Sequence, residues 1–355
     1  MGNIVQEKKA YGDKISVAYA SSDMYAFLAG TSILSLCENN KHIHELNIYI
    51  LDVGIGIENR IKLNQISEFY GRKIEYISVN NYIEKLKKYG MTEYNGSYAT
   101  CMKLLITEYF SDEIERLLYI DCDTMIRGPI DALWNCDMGN KCLGMTIDCM
   151  NSKLKKGYGM LANQKYCSGA LVLYDMKRYR QFDCTTKIIM FLRKNKIKFP
   201  FVEQDVLNMC LVDWIYILPI KYNFISLYEK FSINEIYQMY NLDEEIFYNK
   251  KEYDNAKINP IIVHFPSVYF SRPWYTDCIS GWTGEYDKYL YAPNNPYHNF
   301  AKGRSNMGFM SKVQQFLSIH LTRKFFVILE KIASNINTSM VLKKAKKEIG
   351  ISDRN

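Results

Sequence analysis

Histidine is scarce, with five in 355 residues, and no two of the ten cysteines stand at C-x-x-C spacing. Those shortages leave zinc chemistry and serine-hydrolase chemistry poorly supported. The phosphate loop G-x-x-x-x-G-K-[ST], the dinucleotide fingerprint G-x-G-x-x-G, H-E-x-x-H and G-x-S-x-G are all missing. No apolar run approaches the roughly 18 residues that span a bilayer. The start, MGNIVQEKKAYGDK, has no apolar h-region, and Gln6 stands where a myristoylation context needs Ser or Thr. A reduced, cytoplasmic protein is the expectation, because most of the cysteines sit inside apolar runs as buried thiols do.

What is present points to a globular chain: 48% hydrophobic and 14% aromatic residues can build a sizeable core. The net charge of +7 is concentrated at one end. From Lys302 onward eleven Lys and Arg face three Asp and Glu, so the preceding 301 residues are close to neutral. A basic tail on a neutral body argues against a nucleic-acid partner. Within the tail, Val313, Phe316, Leu317, Leu321, Phe325, Ile328, Leu329 and Ile332 recur at helical spacing among Lys312, Arg323, Lys324 and Lys331. Two readings stand: a helix docked on the core, or a basic amphipathic helix on the anionic inner face of the plasma membrane, with KKAKK (343–347) adding weight to the second.

Along the chain, β-like runs alternate with helical stretches. ISVAYA (15–20), LNIYILDVG (46–54), KIEYISV (73–79) and RLLYIDCDTMI (116–126) read as strands, and 25–37, 58–69 and 99–110 as helices. KCLGMTID (141–148), GALVLYDM (169–176) and PIIVHFP (260–266) continue the β pattern, while 199–212 reads as a loop entering a helix. The order predicts βαβ units, a mainly parallel sheet and a ligand at the strands' carboxyl ends. Asp23, Asp52, Asp121 and Asp123 all fall at such ends. Residues 223–259, rich in Tyr, Asn and charge, suit a peripheral insertion.

Asp121 and Asp123, two apart in an extended segment, share a face. Like charges at that distance repel unless a cation lies between them, and Mg²⁺ or Mn²⁺ favours carboxylate and phosphate oxygens. A tight turn is the competing explanation. His264, at the end of PIIV, is either a structural histidine or a third ligand completing an O,O,N set. Asp205 reads as a capping or first-turn acid, with Glu203 and Gln204 free to enter a cleft.

Eight stretches in order, VAYASSDMYAFLAGTSILSL, IYILDVGI, ATCMKLLITEY, RLLYIDCDTMIRGPIDALW, GMTID, YCSGALVLYD, EQDVLN and VHFPSVYFSRPW, resemble family 8 glycosyltransferases over about residues 14–282. The resemblance implies an α/β GT-A fold, a Rossmann-like mixed sheet flanked by helices, over 1–282, with 223–259 as a possible acceptor region and 283–355 as a basic helical tail. It implies a UDP-sugar donor, Mn²⁺ (or Mg²⁺), and transfer of glucose or galactose, with retention, to a saccharide or glycolipid acceptor in surface-polysaccharide or lipopolysaccharide synthesis. By the same resemblance Asp121, Asp123 and His264 bind the metal. Ala20, Tyr25, Lys103, Asp123 and Arg272 bind the donor, and Asp148 holds sugar hydroxyls. Gln204 lies nearest the anomeric carbon, with Glu203 beside it; because an amide is a poor nucleophile, front-face substitution is expected. The chain departs from the family pattern at Ser22, Met24, Lys103, Ser267 and Arg272, and around Cys167 and Ser168. The alternatives are a nucleotidyltransferase, for which AYASSDMYA lacks a glycine-rich phosphate loop, and a non-catalytic binding relative.

Overall fold

The computed structural model describes residues 14–94, 96–195, 200–266 and 270–349, with side chains of the last helix described to Lys344. The polar start, Ser267 and the end of KKAKK lie outside the described residues. Seven strands form the main sheet: β1 (Lys14–Ser21), β2 (Glu45–Asp52), β3 (Lys73–Ser78), β4 (Arg116–Ile120), β6 (Leu143–Ile147), β7 (Cys167–Asp175) and β8 (Ile215–Ile217). Their order is β3-β2-β1-β4-β7-β6-β8. Only β7 runs against its neighbours, so the sheet is mixed. β5 (Thr124–Ile126), β9 (Phe224–Ile225) and β10 (Ile262–His264) make a second, three-stranded sheet in the order β5-β10-β9. β4 and β7 are buried along their whole length, as near-continuous apolar runs require when helices cover both faces of a sheet.

The apolar run 116–126, expected as one strand, therefore serves two sheets. β4 ends at Ile120 in the first, and β5 begins at Thr124 in the second. Backbone pairing ties each end of the intervening bend to its own sheet: Asp121 N–H donates to Ala170 O at 2.8 Å, and Phe265 N–H donates to Asp123 O at 2.9 Å. The helix Ala26–Asn39 secures β5 with its buried polar side chains. Ser35 Oγ accepts from Ile126 N–H, Asn39 Nδ2 donates to Ile126 O, and Ser32 Oγ lies 2.9 Å from Thr124 Oγ1. These serines and asparagines satisfy the strand edge that a purely apolar helix would leave unpaired.

Residues 99–110 also differ from expectation. Ala99–Glu108 is a run of 3₁₀ turns broken at Leu105, not an amphipathic α-helix. The 223–259 stretch is less peripheral than its composition suggests. Phe224, Tyr228, Phe231, Ile236, Phe247 and Tyr253 belong to a buried cluster, and Tyr253 OH donates to both Tyr228 O and Phe231 O. Tyr237 OH and Tyr248 OH likewise donate to the carbonyls of Tyr248 and Leu218, so a polar composition conceals a core.

The tail forms two helices, Phe309–His320 and Arg323–Ile349. Phe326 and Val327 are buried in the same cluster, Phe326 stacks on Phe231, and Leu317 and Leu321 pack beside them. The rest of the expected stripe, Phe316, Phe325, Ile328, Leu329 and Ile332, faces outward together with Ile336 and Met340. By length and composition alone the segment Arg323–Lys344 just reaches what a membrane crossing needs, with a mean hydropathy of 1.2, and basic residues stand at both of its ends.

Replacing Tyr253 by Ala should cost about 3–5 kcal/mol in urea unfolding, as for a large buried aromatic. A loss within about 0.5 kcal/mol would return 223–259 to the periphery.

Candidate functional site

A cleft of about 280 Å³ opens where the carboxyl ends of β1 and β4 meet the second sheet. Ala20, Ser22, Tyr25, Asp121, Asp123, Asp148, Glu203, Gln204, His264 and Arg272 all line it. Every residue assigned to the site from sequence except Lys103 is thus on its wall.

The bend between the sheets turns both carboxylates into the cleft and buries Cys122, whose Sγ lies 3.3 Å from Ala20 O. β10 then sets His264 opposite Thr124 in register. Oxygens of Asp121 and Asp123 and a ring nitrogen of His264 all lie within 4.8 Å of one another. His264 Nε2 is 3.3 Å from Asp123 Oδ1, and Arg272 Nη2 is 3.8 Å from Asp123 Oδ2. Burial pushes the Asp121 carboxyl up, against the pull of Lys103. Burial acts on Asp123 too, but the facing His264 and Arg272 outweigh it and hold that carboxyl below its usual range. Two carboxylates and an imidazole make a donor set suited to a hard or borderline divalent ion, and the distances admit one.

Lys103 sits behind this wall with no exposed surface. Its Nζ donates to Gly169 O at 2.7 Å and Asp121 Oδ1 at 3.1 Å, and lies 3.2 Å from Glu203 Oε1. Three acceptors meet its three N–H groups, and the two carboxylates overcome burial to raise its pKa. Lys103 therefore differs from its expected place on the donor: it holds Asp121 and Glu203 from behind.

Gln204 bridges two strands' ends. Its Oε1 accepts from Gly169 N–H at 2.9 Å, and its Nε2 donates to Asp148 Oδ2 at 2.8 Å. A donor on one side and a carboxylate on the other fix the orientation of the amide. Burial raises the Asp148 carboxyl despite that hydrogen bond. Glu203 is almost fully buried and paired with Lys103. Asp23 and Asp52 brace loops instead of lining the cleft: Asp23 accepts from Gly56 N–H and Asn59 Nδ2, and Asp52 from Gly54 and Ile55 N–H and from Arg60.

Sequence reasoning missed three contributors, Thr100, Tyr94 and Phe201, while Arg272 was expected at the site. Thr100 Oγ1 and Arg272 Nε are buried at the cleft without a hydrogen-bond partner among the described residues. Tyr94 and Phe201 stand partly exposed at its mouth, where aromatic faces can meet a sugar. For Tyr94 a signal existed, a turn closed by Gly96 at φ +78°; for Thr100 none did.

The model for glycosyl transferase family 8 matches residues 16–278. General stress protein A of Bacillus subtilis is 25% identical over 77% of the chain and 92% of its own length. Lipopolysaccharide glucosyltransferase WaaO of Escherichia coli is 24% identical over 82% and 81%. In a crystal structure with donor and acceptor sugar analogues, the galactosyltransferase LgtC superposes with a TM-score of 0.64 at 21% identity, over 78% of this chain and 95% of that one. The fold is that of the GT-A glycosyltransferases, and the chain belongs to glycosyl transferase family 8.

Proposed function

We propose that the chain is a retaining, divalent-metal-dependent hexosyltransferase that moves glucose or galactose from a UDP-sugar to a saccharide or glycolipid. The observation that carries this is the placement of Asp121, Asp123 and His264 in one cleft with the Asp148–Gln204 pair and Arg272. Relatives named for lipopolysaccharide glucosyl and 1,3-galactosyl transfer support a surface-glycan acceptor.

In this reading Tyr25 and Ala20 take the base, and Asp123 the ribose side. A divalent ion held by Asp121, Asp123 and His264 supplies positive charge at the leaving diphosphate. Arg272, whose Nε has no hydrogen-bond partner among the described residues, adds hydrogen bonds there. Asp148 accepts from sugar hydroxyls and fixes the Gln204 amide at the anomeric carbon. The bond from that carbon to the β-phosphate oxygen breaks as the acceptor oxygen attacks from the same face. The acceptor proton passes to the departing oxygen. Burial and the Lys103 pairing keep Glu203 out of covalent chemistry. Lys103 holds Asp121 and Glu203 from behind and offsets part of their charge.

The outward apolar stripe of the tail, flanked by Lys312, Arg323, Lys324 and Lys331, supports peripheral binding to an anionic membrane.

Mn²⁺-dependent hydrolysis of UDP-glucose or UDP-galactose is expected across a donor panel, falling at least about a hundredfold in His264→Ala or Asp123→Asn. No turnover of any UDP-sugar by the native protein would remove the reading. Lys103→Met should lower stability by about 3 kcal/mol in thermal unfolding, because it strands the buried Glu203 and the half-buried Asp121; an unchanged melt would contradict that role. Co-sedimentation with phosphatidylglycerol vesicles should be lost on replacing Phe325 and Ile328 by Asp, and should be weak with phosphatidylcholine. Equal binding by the variant would exclude the stripe.

A further inference from the structure

The helix Val202–Leu211 begins in an unusual way. Val202 is a buried, β-branched residue with φ at +45°, in the left-handed region that such side chains avoid. The two residues that follow are Glu203 and Gln204, both on the cleft wall. A strained backbone beside a reacting centre persists only where its surroundings hold it.

The holder is Asp205, which has no exposed surface. Its Oδ2 accepts from Phe201 N–H at 2.9 Å and from Tyr158 OH at 3.1 Å, and its Oδ1 accepts from Tyr166 OH. The Phe201 bond closes a loop around Val202, and Gln204 N–H donates back to Phe201 O at 2.9 Å. Tyr166 also accepts Asp148 N–H on its backbone carbonyl at 2.9 Å, so one tyrosine joins Asp205 to the residue that Gln204 grips. Tyr158 follows Gly157, which packs against Leu342 of the last helix.

We infer that Asp205, clamped by Tyr158 and Tyr166, is a positioning residue that holds Val202 in its left-handed conformation and so aims Gln204 and Glu203 into the cleft. The inference rests on the glycosyltransferase reading for its kinetic test but not for its structural one. Burial pushes the Asp205 carboxyl up to about 6, against the hydrogen bonds of Tyr166, Phe201 and Tyr158 and together with nearby Glu203. As pH falls through that value the carboxylate gains a proton, and either a donor is displaced or a tyrosine hydroxyl must turn to accept it. The clamp is intact above about pH 6 and weakens below it.

The test is Mn²⁺-dependent UDP-glucose and UDP-galactose hydrolysis by native protein, Asp205→Asn and Tyr158→Phe, with crystal structures of both variants. The expected result is a fall in kcat of about tenfold for Asp205→Asn and a smaller one for Tyr158→Phe, with donor KM and UDP affinity unchanged within about twofold. In the Asp205→Asn structure Val202 should leave positive φ. Tyr158→Phe removes one hydroxyl from a half-buried ring and decides the matter if Asp205→Asn does not fold. Native kcat in both variants, or a fall in kcat matched by lost UDP binding, would overturn the inference. If the native protein turns over no UDP-sugar, the functional reading fails, and Val202 unmoved in the variant structures would overturn this inference separately.

Discussion

Two carboxylates forced together by a bend between sheets set the terms for the rest of this molecule. Asp121 is pinned to the main sheet and Asp123 to the small one, each through its own backbone, so neither can retreat from the other. Such a pair stays charged only if positive groups surround it. Lys103 faces one member from behind, and His264 and Arg272 face the other across the cleft. The two acids respond in opposite directions, Asp121 raised and Asp123 lowered, because burial prevails at the first and the facing His264 and Arg272 side chains at the second. A divalent ion between them would relieve the same repulsion, and family membership agrees with that arrangement.

The remainder of the site is built on this junction. β7, the reversed strand, brings Gly169 between β4 and the helix Val202–Leu211. Its carbonyl receives Lys103 and its N–H is received by Gln204, so one glycine connects the charged half of the cleft with the amide half. A Cβ there would stand 3.4 Å from Glu203 Oε1, at the edge of tolerance. The small sheet contributes His264 and Ile225 to the cleft, and β10 sets His264 in register with Thr124 on one side and Ile225 on the other. The tail is coupled to this frame as well: its inner face closes the aromatic cluster of 223–259, while its outer face remains apolar and flanked by basic residues.

Much of this was legible in the sequence because it follows from local pattern. The strands of the N-terminal half, the helix after β1, and the carboxylates at strand ends obey periodicity and turn chemistry that a single segment displays. What stayed hidden depends on partners distant in the chain. The division of 116–126 between two sheets is decided by Ala170 and Phe265, which no local window contains. The place of Lys103 could not be read because an ammonium reaches either a ligand or three protein acceptors with the same sequence around it. The 223–259 core was masked by tyrosines, polar in composition and apolar in packing. For the tail, periodicity ran one stripe through 311–332, but the helix breaks between His320 and Arg323, so Leu317 and Leu321 turn inward with Phe326 and Val327 while Phe316, Phe325 and Ile328 face out.

The central claim is that the sheet-to-sheet bend and His264 form one metal clamp at a UDP-binding cleft. Anomalous diffraction from crystals grown with Mn²⁺ and UDP tests it most directly. The account predicts one strong manganese peak bonded to Asp121, Asp123 and His264, with the diphosphate beside Arg272. Ordered UDP without such a peak, or manganese bound away from these three side chains, would contradict it.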